Sequence, residues 1–387
     1  MKLLLKIALP VLAALAAILL FTSQKSPAHA IDASPQKDTS LKIQVAILLD
    51  VSNSMDGLID QAKAQLWNMV GTLGKAECKG QTPQIEIALY EYGRPTNNAS
   101  KGYVKQINGF ITDLDSLSQN LFELKTDGGD EYCGHVIYSS IKELGWDTSS
   151  TNYKVIFIAG NEDFLQGDVT WRTACNAAKS KGVIVNTIYC GDKIKGISEH
   201  WKLGGECGNG SYTNINQDAT IEDITTPYDS ALFVLNDQLN NTYVTYGYSG
   251  ASGFSKQADM DKKNYTMNKK VAAERVAVKA NKNLYKTSKW DLVDAVADDK
   301  TFIDKVNMET LPDSLKSKSR SELQQLVKVK NEERTALQGK IAGISIQRET
   351  YINNERKKTS TNNIATLETE IEKILKKQVQ HYNLVIK

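Results

Sequence analysis

The chain has 387 residues, 41% of them hydrophobic, and its 47 Lys and Arg against 45 Asp and Glu leave a net charge of +2. That length accommodates a full α/β domain and a smaller second region, and a charge so near neutral gives no ground for nucleic-acid binding. The five cysteines contain no Cys-x-x-Cys pair, which argues against structural zinc even with His135 beside Cys133 and His200 further on.

Residues 1–30 carry Lys2 and Lys6, an apolar core over 7–21 and Ala28-His29-Ala30. This is the layout of a secretory signal peptide, so the expected mature chain begins near Ile31 and is secreted or periplasmic. An uncleaved membrane anchor is the alternative, although the apolar core alone is short for a span. Residues 31–40 read as a polar linker. Export lets Cys78, Cys133, Cys175, Cys190 and Cys207 oxidise, and their odd number leaves one free or pairs it between chains. Counting does not fix the disulfide connectivity. A Cys175–Cys190 bridge is favoured, joining a helix to a strand end.

Residues 43–55 read IQVAILLDVSNSM. The run 45–49 is too apolar for a strand buried on one face only, which places it mid-sheet between helical layers. Ligands of such sheets bind beyond the carboxyl ends of the strands, where Asp50 begins. One carboxylate and two hydroxyls, Asp50, Ser52 and Ser54, form a hard oxygen set that suits Mg²⁺ or Mn²⁺. An Asx-turn or a helix cap uses the same residues.

Residues 57–73 place Leu58, Ala62, Leu66, Met69, Val70 and Leu73 at helical spacing. A second strand is expected over 84–92, a turn at Gly93-Arg94-Pro95, an edge strand over 103–107 and a helix over 113–124. The loop 125–134, KTDGGDEYCG, offers Asp127, Asp130 and Glu131 among glycines; it is a second ligand loop or a solvated acidic turn. A helix with Val136, Ile137, Ile141 and Leu144 follows. The strand expected over 153–159 ends in Gly160-Asn161-Glu162-Asp163. Helices over 168–181 and 227–239 and strands over 183–189 and 211–215 complete an alternation that predicts a doubly wound, mainly parallel sheet.

The apolar strand ending in Asp50-x-Ser52-x-Ser54 resembles the von Willebrand factor type A domain with its metal-ion-dependent adhesion site, over residues 41–240. The resemblance implies further ligands on two later loops. Glu131, six positions before Ile137, fits the second, and Thr126 does not. Asn161 stands where the family places an Asp, so the implied metal set is Asp50, Ser52, Ser54, Glu131 and Asn161, with Glu131 offsetting the lost charge. Glu162 or Asp163 swinging in is the alternative.

Residues 241–258 are glycine-rich and read as a linker. The remainder, 259–387, reads as helical: Ala272, Val276, Ala280 and Leu284 mark one helix, Ser288 to Asp291 a capping box, and residues from Leu323 to Ile352 a long stripe that Lys330 and Arg334 interrupt. A polar turn at 357–363 and a resumed stripe suggest a helical hairpin packed on itself or on the sheet domain; a dimeric coiled coil competes. The pairing of ALYEYG, GGDEYCG and VNTIYCG with a WDLVDA tail is similar to exported bacterial proteins that join this domain to a helical tail.

The expected function is therefore an exported, divalent-metal-dependent protein-binding module, adhesive or scaffolding, whose ligand supplies an acidic side chain. Two alternatives stand: a metal-independent envelope scaffold acting through its helices, and a metal-assisted phosphohydrolase with Asp50 as nucleophile. The second lacks support, because Ser52 occupies the place of a second acid.

Overall fold

The structure is a computed structural model that describes residues 41–77, 80, 82–219, 223–358, 366–382 and 384–386. The expected signal peptide, the linker at 31–40, Cys78 and most of the turn at 357–363 lie outside the described residues.

Strand β1, Lys42–Asp50, occupies the middle of a six-stranded sheet because both of its faces are apolar. Val45 and Leu49 enter one hydrophobic layer, and Ala46 and Leu48 the other. The chain continues through α1 (Asp56–Gly74), the short β2 (Ala76–Glu77), β3 (Gln84–Tyr92), β4 (Lys105–Ile111), α2 (Leu114–Glu123), α3 (Cys133–Glu143) and β5 (Tyr153–Gly160). It then forms α4 (Trp171–Ser180), β6 (Ile184–Cys190), α5 (Lys193–Ser198), α6 (Trp201–Cys207), β7 (Asn209–Ile215) and α7 (Asp229–Asn240). The sheet order is β4-β3-β1-β5-β6-β7, parallel throughout except for the antiparallel edge strand β4. The chain leaves β1 towards β3 and returns past it to β5. The strand order therefore reverses at β1, and a crevice opens beyond the carboxyl ends of β1 and β5. The doubly wound sheet expected from the alternating pattern is present.

The carboxyl-terminal region comprises α8 (Gly250–Met267), α9 (Lys269–Lys279), α10 (Leu292–Asp298), α11 (Phe302–Lys305), α12 (Asp313–Lys316), the 39-residue α13 (Arg320–Lys358), α14 (Leu367–Gln378) and β8 (Val385–Ile386), which pairs with β2. It differs from the sequence expectation in three ways. The glycine-rich stretch is helical from Gly250 onward, and Gly253 is there for close packing: a Cβ would lie 2.5 Å from the Trp290 ring. The helix expected from the box at Ser288 begins at Leu292 instead, because the Asp291 carboxylate caps it by accepting from Asp294 N at 3.0 Å. Of the two placements expected for the last helices, packing on each other is not found and packing on the sheet domain is: α13 lies chiefly on α7, α9 and α10, whereas α14 lies on α1 and β7.

Helix α14 closes one face of the sheet. Leu367, Ile371, Ile374 and Leu375 join the same apolar cluster as Val45, Leu66 and Phe157, each worth roughly 1.5–3 kcal/mol when fully buried. Its last residue, Gln378, accepts from the Tyr153 hydroxyl at 2.7 Å and exchanges hydrogen bonds with Asn186 at 2.8 and 3.1 Å. On α13 the buried positions Val327, Arg334, Ile341 and Arg348 recur every seventh residue. Arg334 thus extends the stripe it was expected to interrupt: its guanidinium is buried on Asp291 at 2.6 Å, Asp294 at 2.7 Å and the Thr242 carbonyl at 2.9 Å.

Cys133, Cys175, Cys190 and Cys207 carry free thiols. The favoured Cys175–Cys190 bridge is absent, since the Cys175 thiol faces α6, meeting the Gly204 carbonyl at 3.8 Å.

Candidate metal centre

Three loops meet at the crevice. The first follows β1: Asp50 is fully buried, and its Oδ1 accepts from Ser52 N at 2.7 Å in an Asx-type turn. The chain then makes a single 3-10 turn, Asn53–Met55, before α1, bringing Ser54 Oγ to 3.5 Å from Ser52 Oγ. The second loop, before α3, is anchored to the first by Asp127 N donating to the Val51 carbonyl at 2.8 Å. It delivers Glu131, only 3% exposed, beside Asp50, the two flanking Gly93 closely. The third loop follows β5, where Asn161 Nδ2 donates to Ser54 Oγ at 3.0 Å. All five residues singled out in the sequence are therefore gathered here.

Other polar residues of these loops have partners of their own. Thr126 donates to Asp56 at 2.6 Å, and Asp130 accepts from the Tyr132 hydroxyl at 3.4 Å. Asp163 contacts His200 Nδ1 at 3.1 Å, so it does not substitute for the missing family Asp. Glu162 is exposed and accepts from Gln166 at 3.3 Å. His135 stacks on the Tyr132 ring, so Cys133, His135 and His200 form no common site. No group of three His, Cys, Asp or Glu suited to a metal occurs among the described residues, which matches a centre made of two carboxylates and neutral oxygens.

Asp50 Oδ2, Glu131 Oε2 and Asn161 Oδ1, one buried oxygen from each loop, have no hydrogen-bond partner among the described residues. Buried oxygens in native proteins are nearly always paired. Burial and the hydrogen bond and charge of Asp50 push the Glu131 carboxyl far above the usual range, and burial raises Asp50 as well. The ionisable groups that act on the pair are each other and Glu162, all acidic. Two buried carboxyls in contact take up either a proton or a cation, and the three oxygens fit a hard divalent cation.

Two neighbours shape this crevice that the sequence did not single out. Gly93, at φ +86°, leaves the space in which a Cβ would stand 3.0 Å from both Asp50 Oδ1 and Glu131 Cγ. The Tyr92 hydroxyl donates to the Ala159 carbonyl at 2.9 Å and joins the β3 and β5 ends beneath Asp50. A glycine directly after a strand was the available signal for Gly93, read only as a turn; nothing in the sequence marks Tyr92.

A doubly wound sheet with an oxygen-lined crevice where its strand order reverses defines a class of α/β domain. No protein-family model matches the chain, and no similar curated protein is found. Among solved structures, the chain is similar to the conserved hypothetical protein BatB from Bacteroides thetaiotaomicron, at 13% identity over 57% of this chain and 99% of that one, with a TM-score of 0.35. It is also similar to the SpRpn10 VWA domain, at 12% identity over 45% of this chain and 88% of that one, TM-score 0.34. A third is proximal thread matrix protein 1 from the mussel byssus with a zinc-occupied MIDAS motif, at 12% identity over 45% of this chain, TM-score 0.34; the match spans 42% of the mussel protein's length. These neighbours include von Willebrand factor type A domains.

Proposed function

We infer that Asp50, Ser52, Ser54, Glu131 and Asn161 hold one divalent cation, Mg²⁺ or Mn²⁺, and that the chain is a protein-binding module, exported by its amino-terminal segment, whose ligand presents an acidic side chain at the site. The observation that carries this reading is the convergence of three unpartnered oxygens, Asp50 Oδ2, Glu131 Oε2 and Asn161 Oδ1. A bound cation supplies the charge that lets Asp50 and Glu131 both ionise, and attracts a carboxylate from outside. Ser52 and Ser54 contribute neutral oxygens, and Asn161, held to Ser54 through its Nδ2, keeps a buried, unpartnered carbonyl oxygen as a further neutral donor. Two anions already balance a divalent charge, so the pull on an external carboxylate is weaker than at a site with one.

The site is one for binding and not for hydrolysis in this reading, since Ser52 stands where a second acid would assist Asp50, and the histidines near the crevice are engaged on Tyr132 and Asp163. No helix among the described residues is long and apolar enough to cross a membrane.

The decisive measurement is thermal unfolding of the purified protein titrated with Mg²⁺. Saturating metal raises Tm, by up to about 2.7 kcal/mol of stability at a hundredfold excess over Kd, and Asp50→Ala abolishes the rise. An equal shift in both proteins removes Asp50 from metal binding. Partner capture from an envelope fraction, with Mg²⁺ and then with EDTA, tests the binding role separately.

A further inference from the structure

Far from that crevice in the fold, α1, α9, α13 and α14 enclose a second cavity of about 400 Å³, a volume within the roughly 300–1,000 Å³ of small-molecule sites. Its chemistry is set by Arg348 of α13, a buried cation facing the space. Arg348 Nε donates to Asp229 Oδ1 at 2.7 Å, and Asp229 is itself fixed by the backbone N–H and hydroxyl of Thr226 at 2.8 and 2.9 Å. Held by that edge, the guanidinium leaves Nη2 without a partner among the described residues. Two more buried polar atoms on the same walls are equally unmatched: Ser345 Oγ, one helical turn before Arg348, and Asn68 Oδ1 across the cavity on α1.

The remaining charges on these walls are largely balanced. Lys270 pairs with Glu368 and, at 3.8 Å, with Glu274; Lys75 pairs with Glu349 at 3.0 Å, and Lys376 with Glu372 at 2.5 Å. What is left over is one guanidinium N–H and a hydroxyl on adjacent turns of one helix, opposed by an amide oxygen. That set is complementary to an anionic oxygen with a hydroxyl or amine a few bonds away.

We propose that this cavity binds a small organic anion, a hydroxylated or aminated carboxylate or phosphate, with its anionic oxygen on Arg348 Nη2 and Ser345 Oγ and its donor group on Asn68 Oδ1. The site is independent of the metal reading. Calorimetry in EDTA at constant ionic strength, where no carboxylate can bind through a cation at Asp50, provides the test, with L-malate and glycerol 3-phosphate as the carboxylate and phosphate probes. At least one probe gives a saturable isotherm, which Asp50→Ala preserves. Arg348→Gln weakens it at least tenfold. Ser345→Leu, which fills the cavity and breaks no hydrogen bond, abolishes it while leaving the unfolding transition cooperative. Absence of saturable binding for both probes overturns the proposal, as does binding that survives unchanged in Ser345→Leu and Arg348→Gln.

Discussion

Asp50 and Glu131 share a buried contact in which like charges would repel, so the metal-free protein keeps a proton between them. Glu131→Gln removes that conflict while preserving shape and a hydrogen bond to Asp50. The expected outcome is an unchanged or higher Tm without metal and a smaller Mg²⁺-induced rise, read in one pair of unfolding curves. Asn161→Asp acts in the opposite sense: a third carboxylate at the same apex tightens Mg²⁺ binding by about tenfold, or roughly 1.4 kcal/mol, and lowers the metal-free Tm. A titration showing Asn161→Asp to be no tighter than the native protein would place residue 161 outside the coordination shell. At this scale the sequence was informative about position where crevice residues sit at fixed offsets from apolar runs, as Asp50 and Glu131 do. It was silent on the orientation of the Asn161 amide, which depends on Ser54 from another loop.

Among the elements, the central strands and the helices of the sheet domain were legible because their apolar residues recur at the spacing of the faces they bury. The carboxyl-terminal helices were harder to read because they dock through polar side chains, which periodicity counts as surface. Arg334 and Gln378 are both buried and both engaged, on Asp291 and on Tyr153 and Asn186. Gln378→Leu leaves the Tyr153 hydroxyl and the Asn186 Nδ2 without protein partners, while Asn186 Oδ1 keeps Ser211 N at 2.8 Å; the expected loss is about 1–3 kcal/mol, measured by urea unfolding. Loss of α14 alone, visible as a second transition, is the accompanying signature. A variant as stable as the native chain would show that apolar packing suffices to seat α14.

Over the whole molecule, a buried charge network joins the two halves of the sequence. Arg275 of α9 contacts Asp115 of α2 and Asp261 of α8, each at 2.6 Å, and Lys279 contacts Asp261 at 2.7 Å. Burial alone would raise the Asp261 pKa, but Lys279 and Arg275 outweigh it and hold the carboxyl well below its usual value. A carboxylate depressed on folding stabilises the native state above its unfolded pKa of about 3.9, and that contribution is lost as pH falls towards the folded value. Stability should accordingly decline below about pH 4, with a shallower decline in Asp261→Asn; identical slopes in the two proteins would exclude this carboxylate. The same network makes the helical region part of the sheet's support. Truncation after Gly253 removes α9 and α14, uncovers Trp67, Phe157 and their neighbours, and should yield aggregated protein and not a free sheet domain, as light scattering would reveal.

The amide of Leu367 at the start of α14 donates to Gln61 of α1, 306 positions earlier in the chain, at 2.9 Å. Contacts of such span cannot form until the late segment has been synthesised, so the apolar sheet face lies open for most of the time the polypeptide is being made. Assembly order is thereby built into the topology: the chain cannot finish its core early, stays loose during translation, and closes in a late step that draws the ends of the described fold together.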